Sequence, residues 1–143
     1  MGAGAHRVFK NVDRVLILLR GAMDLVIDGV SREVPRFSPI EFTGESYVEA
    51  RLSQGPTMDL NVMTRRGRAD AQVDLLTGPA ITLGRAHAAA RAVIVLDGVW
   101  TAVGVAESLG LWDCLMAPEA TELRGDGTLA CVTLRTRGHE PQD

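Results

Sequence analysis

Lysine, histidine, cysteine and aromatic residues are all scarce in this chain, and the scarcity of histidine and cysteine removes classes of function. The 143 residues include one lysine, Lys10, and three histidines, His6, His87 and His139. A metal-dependent oxygen-chemistry site needs clustered imidazoles and a carboxylate. Histidines this far apart do not supply it, so no metal site is expected and His87 is read as a surface residue. Two cysteines, Cys114 and Cys131, are too few for a zinc site and are expected as buried free thiols. No apolar run approaches the length that spans a bilayer, and no membrane partner is expected. The opening MGAGAH lacks the basic start and apolar stretch of a secretory signal, which predicts a cytoplasmic protein. A net charge of −3 opposes broad nucleic-acid binding, which depends on neutralising many phosphates. Phosphate-loop and dinucleotide fingerprints are absent, so no cofactor is expected. Gly44-Glu45-Ser46 lacks the second glycine of a nucleophile elbow, and no catalytic residue is assigned.

What the sequence does contain is a succession of short extended segments. Residues 15–19 (VLILL) form a continuous apolar run suited to a central strand covered on both faces. Met23, Leu25 and Ile27 alternate with Asp24, Val26 and Asp28, and Asp28-Gly29 is a hairpin turn signal. Tyr47, Glu49 and Arg51 alternate with Val48, Ala50 and Leu52, the pattern of a half-buried antiparallel strand. Similar segments occur at 71–75, 93–96, 99–105 and 129–136, with Gly78-Pro79, Asp97-Gly98 and Gly125-Asp126-Gly127 between or beside them. Residues 85–91 (RAHAAAR) favour helix by composition but are too few to hold one alone, and are read as a connection. Trp100 and Trp112 are expected in the core. Many short strands with glycine-rich turns predict an all-β sandwich or barrel in one domain, residues 1–143, with flexible ends at 1–8 and 137–143.

The chemistry is concentrated in residues 55–67, GPTMDLNVMTRRG. If the chain runs extended from Asp59, Leu60 and Val62 point one way, and Asp59, Asn61 and Met63 the other. Arg65 joins the second set if the strand persists towards the turn at Gly67. An interior face with these groups would hold a polar ligand: the carboxylate accepts, the amide does both, and a guanidinium fork clamps a carboxylate. The alternative is that Leu60 and Val62 face the core while Asp59 and Asn61 face water, with residues 64–68 a solvated basic turn. Pattern alone favours the alternative. Arg14, at the mouth of the apolar strand, stands to meet either Asp59 or a ligand carboxylate.

Three pieces together resemble the HutD/Ves family. They are residues 9–21 with Val12-Asp13-Arg14, residues 35–45 with Phe37, Pro39, Phe42, Gly44 and Glu45, and Gly55-Pro56 followed by Asp59-Leu60-Asn61-Val62-Met63 and Arg65-Arg66-Gly67. The resemblance implies a cupin-like (RmlC-like jelly roll) fold in a double-module form, and an association with bacterial histidine utilisation. It attaches no firm catalytic activity, and implies binding of a small acidic metabolite such as a formylated glutamate. Two departures stand out. The family's N-terminal Trp-Lys-Asn-Gly-Gly-Gly-Thr segment has no counterpart, and Asn11 stands where glycine is usual. An incomplete double module would leave a sheet edge unpaired, which predicts a homodimer through that edge.

The leading expectation is a non-catalytic, metal-free binding protein for a small acidic metabolite. Its ligand contacts would be Asp59, Asn61, Met63 and Arg65, with Arg14 and Arg66 as outer charges. The rival is a cofactor-free isomerase, lyase or hydrolase with Asp59 as general base, which requires that carboxylate to be enclosed. A third reading is a structural or interaction protein working through its exposed edge.

Overall fold

A computed structural model describes residues 8–137. The flexible ends expected at 1–8 and 137–143, with His6 and His139, fall almost wholly outside the described residues. Every regular element among those described is a β-strand, and every pairing is antiparallel. The all-β, cupin-like architecture expected from the sequence is the one the chain adopts. Packing divides it into two compact units meeting in sequence at Gly67 and Arg68.

The first unit contains β1 (Val12–Arg20), β2 (Asp24–Ile27), β3 (Val30–Glu33), β4 (Ile40–Thr43), β5 (Val48–Arg51) and β6 (Met58–Arg65). They form two three-stranded sheets, ordered β4-β1-β6 and β3-β2-β5. The apolar run at 15–19 lies in the central strand β1, and all five residues are buried, as a strand covered on both faces requires. Asp28 and Gly29, both at positive φ (49° and 83°), make the two-residue turn between β2 and β3, where the strand twist demands that conformation. One core joins the sheets: Leu16 and Leu18 from β1, Ile40 from β4, Leu25 from β2, with Met23 and Val34. Each fully buried leucine contributes about 1.5–3 kcal/mol relative to exposure.

The second unit contains β7 (Ala69–Thr77), β8 (Ala80–Leu83), β9 (Ala90–Asp97), β10 (Trp100–Ala102), β11 (Cys114–Met116), β12 (Thr121–Gly125) and β13 (Thr128–Thr136). Its sheets are ordered β11-β9-β13-β7 and β10-β12-β8. Trp100 is fully buried at the centre of a core with Val93, Val95, Leu123 and Leu129. Residues 85–89 form the predicted connection, while Ala90 and Arg91 already belong to β9. Arg91 is buried, and its guanidinium donates to the carbonyls of Ala117 (2.8 Å), Gly84 (2.7 Å) and Glu119 (3.1 Å). A buried charge is tolerated only with such bonding. It ties the approach to β9 to the segment after β11.

Two expectations change. Cys131 is buried as predicted, but Cys114 is exposed. β11 is an edge strand whose middle residue, Leu115, packs on the core, so alternation sends Cys114 and Met116 outward. Trp112 is only half-buried, in a turn at φ 67°, whereas Trp100 is core as expected.

Candidate functional site

The register of β1 with β6 decides where the polar residues of the central stretch point. Arg14 pairs with Met63, Leu16 with Asn61 and Leu18 with Asp59. Directly opposed residues in a sheet share a face, so Asp59, Asn61 and Met63 lie on the face that carries Leu16 and Leu18. That face is the core side of the first unit. Leu60 and Val62 fall on the other face, beside Ile17 and Val15. The alternating face predicted for Asp59, Asn61 and Met63 exists, and its outer end is open to solvent: Asn61 and Met63 are exposed and Asp59 is half-buried.

These side chains form a relay. Arg14 Nη2 donates to Asn61 Oδ1 at 3.0 Å, and Asn61 Nδ2 donates to Asp59 Oδ2 at 2.8 Å. The amide is thereby oriented, with its oxygen toward the guanidinium and its nitrogen toward the acid. Asp59 attracts Arg14 electrostatically without touching it, but burial is the larger influence and lowers the proton affinity of the guanidinium. The Arg14 Nε atom is buried and has no hydrogen-bond partner.

Two aromatic rings hold Arg14 in place. Its guanidinium lies 5.3 Å from the Phe9 ring centre and 4.8 Å from that of Phe42, within cation–π range of both. Phe42 is placed by β4, where it pairs with Arg14 itself. Phe9 is placed by Gly44, whose carbonyl accepts from the Phe9 amide at 2.8 Å while its own amide donates to Val12 at 2.7 Å. A side chain at position 44 would collide with the Phe9 carbonyl, so the close approach needs glycine.

Arg66, expected as an outer ligand charge, is engaged elsewhere. It donates to both carboxylate oxygens of Glu45 (2.8 and 3.0 Å), to Asp13 (3.0 Å) and to the Val12 carbonyl (3.2 Å). Glu45 also accepts from the Asn11 amide. The Arg66 hydrogen bond, with the Asn11 amide second, holds the Glu45 carboxyl at about 2, and the same contacts raise Arg66. This network fastens the start of β1 to the end of β6 and the turn after β4. Its partners already use the guanidinium that a ligand would need. Arg65 ends β6 opposite Val12, exposed, on the side of the sheet that carries Met63 by alternation. The sequence reading did not single out Phe9 or Phe42 as site residues, although both lie in the family-like segments. The available signal was the pairing of Phe42 with Arg14, which requires knowledge of register.

Among the described residues, no group of three His, Cys, Asp or Glu side chains is disposed to hold a metal ion. His87 is exposed.

The HutD family profile matches residues 2–133. The chain belongs to the HutD family. It is 37% identical over 103 residues to Protein Ves of Citrobacter koseri, a match covering 69% of this chain and 52% of that protein. A 21.2 kDa protein from the hutC 3′ region of Pseudomonas putida is 29% identical over 130 residues, covering 86% of this chain and 66% of its own length. The chain thus spans about half the length of the Ves relative. Among solved structures it resembles HutD from Pseudomonas fluorescens SBW25, with a TM-score of 0.82 and 26% identity over 95% of this chain and 74% of that one. The HutD-type fold therefore extends through both units of the chain.

Proposed function

We propose that this HutD-family chain is a non-catalytic, metal-free, cytoplasmic binding protein for a small acidic metabolite. A formylated glutamate fits the chemistry, and a regulatory role in histidine utilisation fits the family. The observation that carries the reading is Arg14. Its guanidinium is partly desolvated between two rings, and among the described residues it forms no ion pair and one hydrogen bond, to Asn61. Guanidinium groups with that little compensation are suited to a carboxylate brought from outside, because partial burial strengthens the attraction. Asn61 and Asp59 lie beside it to orient donor groups on the ligand, such as an amide N–H. Met63 offers an apolar wall, and Arg65 a second cation at the exposed end. The gene neighbourhood of the Pseudomonas putida relative supports the metabolic setting.

Calorimetry of the protein with N-formylglutamate, glutamate and urocanate tests the proposal. Saturable binding of at least one of these acids to the wild type, lost in Arg14→Gln at unchanged melting temperature, is the expected result. Absence of heat with all three, or equal binding by Arg14→Gln, would contradict it.

A further inference from the structure

The second unit carries its own version of the relay. Arg135, in the central strand β13, donates from Nη1 to Gln72 Oε1 at 3.2 Å, and Gln72 Nε2 donates to Asp74 Oδ2 at 3.0 Å. The spacing is the same but runs toward the opposite end of the arginine's strand: Arg135 pairs with Asp70, Thr133 with Gln72 and Cys131 with Asp74. The guanidinium therefore reaches diagonally to an amide two residues along the neighbouring strand, and that amide reaches an acid two residues further. This is the same order of groups as Arg14, Asn61 and Asp59, with glutamine in place of asparagine.

Arg135, the first member of this relay, also borders a concavity of about 640 Å³ together with residues 85–89 and Thr136. That volume lies within the range of small-molecule sites. The residues that border it include two arginines, Arg85 and Arg135, the histidine His87 and three alanines, and none of them is acidic. The wall is fixed from behind. Arg91 holds the Gly84 carbonyl at 2.7 Å, and the Ala86 amide donates to Pro118 at 2.9 Å. Glu119 is near Arg85 at 3.7 Å, but both are highly exposed (75% and 71%), and such a contact is weak and exchangeable.

We infer that this concavity is a second ligand site, for a small dicarboxylate with a short apolar spacer. Arg85 and Arg135 would take the two acid groups as forked donors, His87 would add a hydrogen bond, and the alanine methyl groups would lie along the methylene chain.

The test is a titration of the isotope-labelled full chain with glutarate and, separately, with its neutral diamide, followed by amide NMR. Glutarate is expected to give saturable shifts at residues 85–89, Arg135 and Thr136, and the diamide none. Arg85→Gln and Arg135→Gln should each weaken those shifts about tenfold or more at unchanged melting temperature. Arg14→Gln should leave them intact, which separates this site from the one in the first unit. Equal response to the diamide, undiminished glutarate binding by both variants of the second unit, or glutarate shifts confined to the surroundings of Arg14 would each overturn the inference. The last outcome would leave the first-unit reading standing.

Discussion

Arg14 and Asn61 are bonded at 3.0 Å although they are not partners in the ladder: Arg14 faces Met63, and Asn61 faces Leu16. The diagonal contact leaves Arg14 held at one nitrogen and Asn61 tied to Asp59 at the other end of its amide. Replacing the amide separates its binding role from its structural one. Asn61→Ala should change stability by no more than about 1 kcal/mol, because the lost bonds are at an exposed position. Asn61→Asp should keep the fold and weaken acid binding about tenfold or more, since a fixed carboxylate would neutralise Arg14 and repel the ligand. Thermal melts and calorimetry on both variants check this.

Glu45 makes stability depend on acid pH in a defined direction. Its folded value, about 2, is below its ordinary value of 4.5. A depressed carboxylate contributes its full stabilisation above the ordinary value and loses it as pH falls towards the folded value. The difference in melting temperature between wild type and Glu45→Gln should therefore be largest at neutral pH. It should shrink between about 4.5 and 2. A difference that stays constant over that window would contradict the Arg66–Glu45 assignment.

The two thiols should differ in reactivity. Cys114 is exposed, while burial pushes the Cys131 thiol up, with Arg91 opposing more weakly. Thiolate is the reacting form. A disulfide reagent at neutral pH should therefore modify one thiol rapidly in the native protein and both after denaturation, and Cys114→Ser should abolish the fast phase.

Asn11 occupies the left-handed region at φ 60°. Asparagine tolerates this conformation better than most residues, and glycine better still. Asn11→Gly should be close to neutral. Asn11→Val should destabilise by about 1–2 kcal/mol, measured by denaturant unfolding.

That residue also shows what the sequence makes legible. Asparagine is one of the few residues that tolerate a left-handed backbone, which is how position 11 is built, and the turns at Asp28-Gly29 and Gly67 are legible directly from their glycines. The apolar run at 15–19 declares a central strand because burial on both faces leaves no polar position in it. The site is harder to read because it depends on register. Alternation puts Asp59, Asn61 and Met63 on one side but does not say which side is the core; only their pairing with Leu18, Leu16 and Arg14 does. Arg66 looks like its neighbour Arg65 in the sequence. It differs because the turn brings Glu45 and Asp13 to it, contacts separated from it by 21 and 53 positions. Cys114 misled because an apolar neighbourhood in sequence does not reveal that β11 is an edge.

The most direct test of the account watches Arg14 itself. With the side-chain nitrogens labelled, N-formylglutamate should shift the Arg14 Nε and Nη signals and those of the Asn61 amide, saturably, while the Arg66 signals stay where they are. Unmoved Arg14 and Asn61 signals in the presence of a ligand that binds elsewhere on the first unit would contradict it.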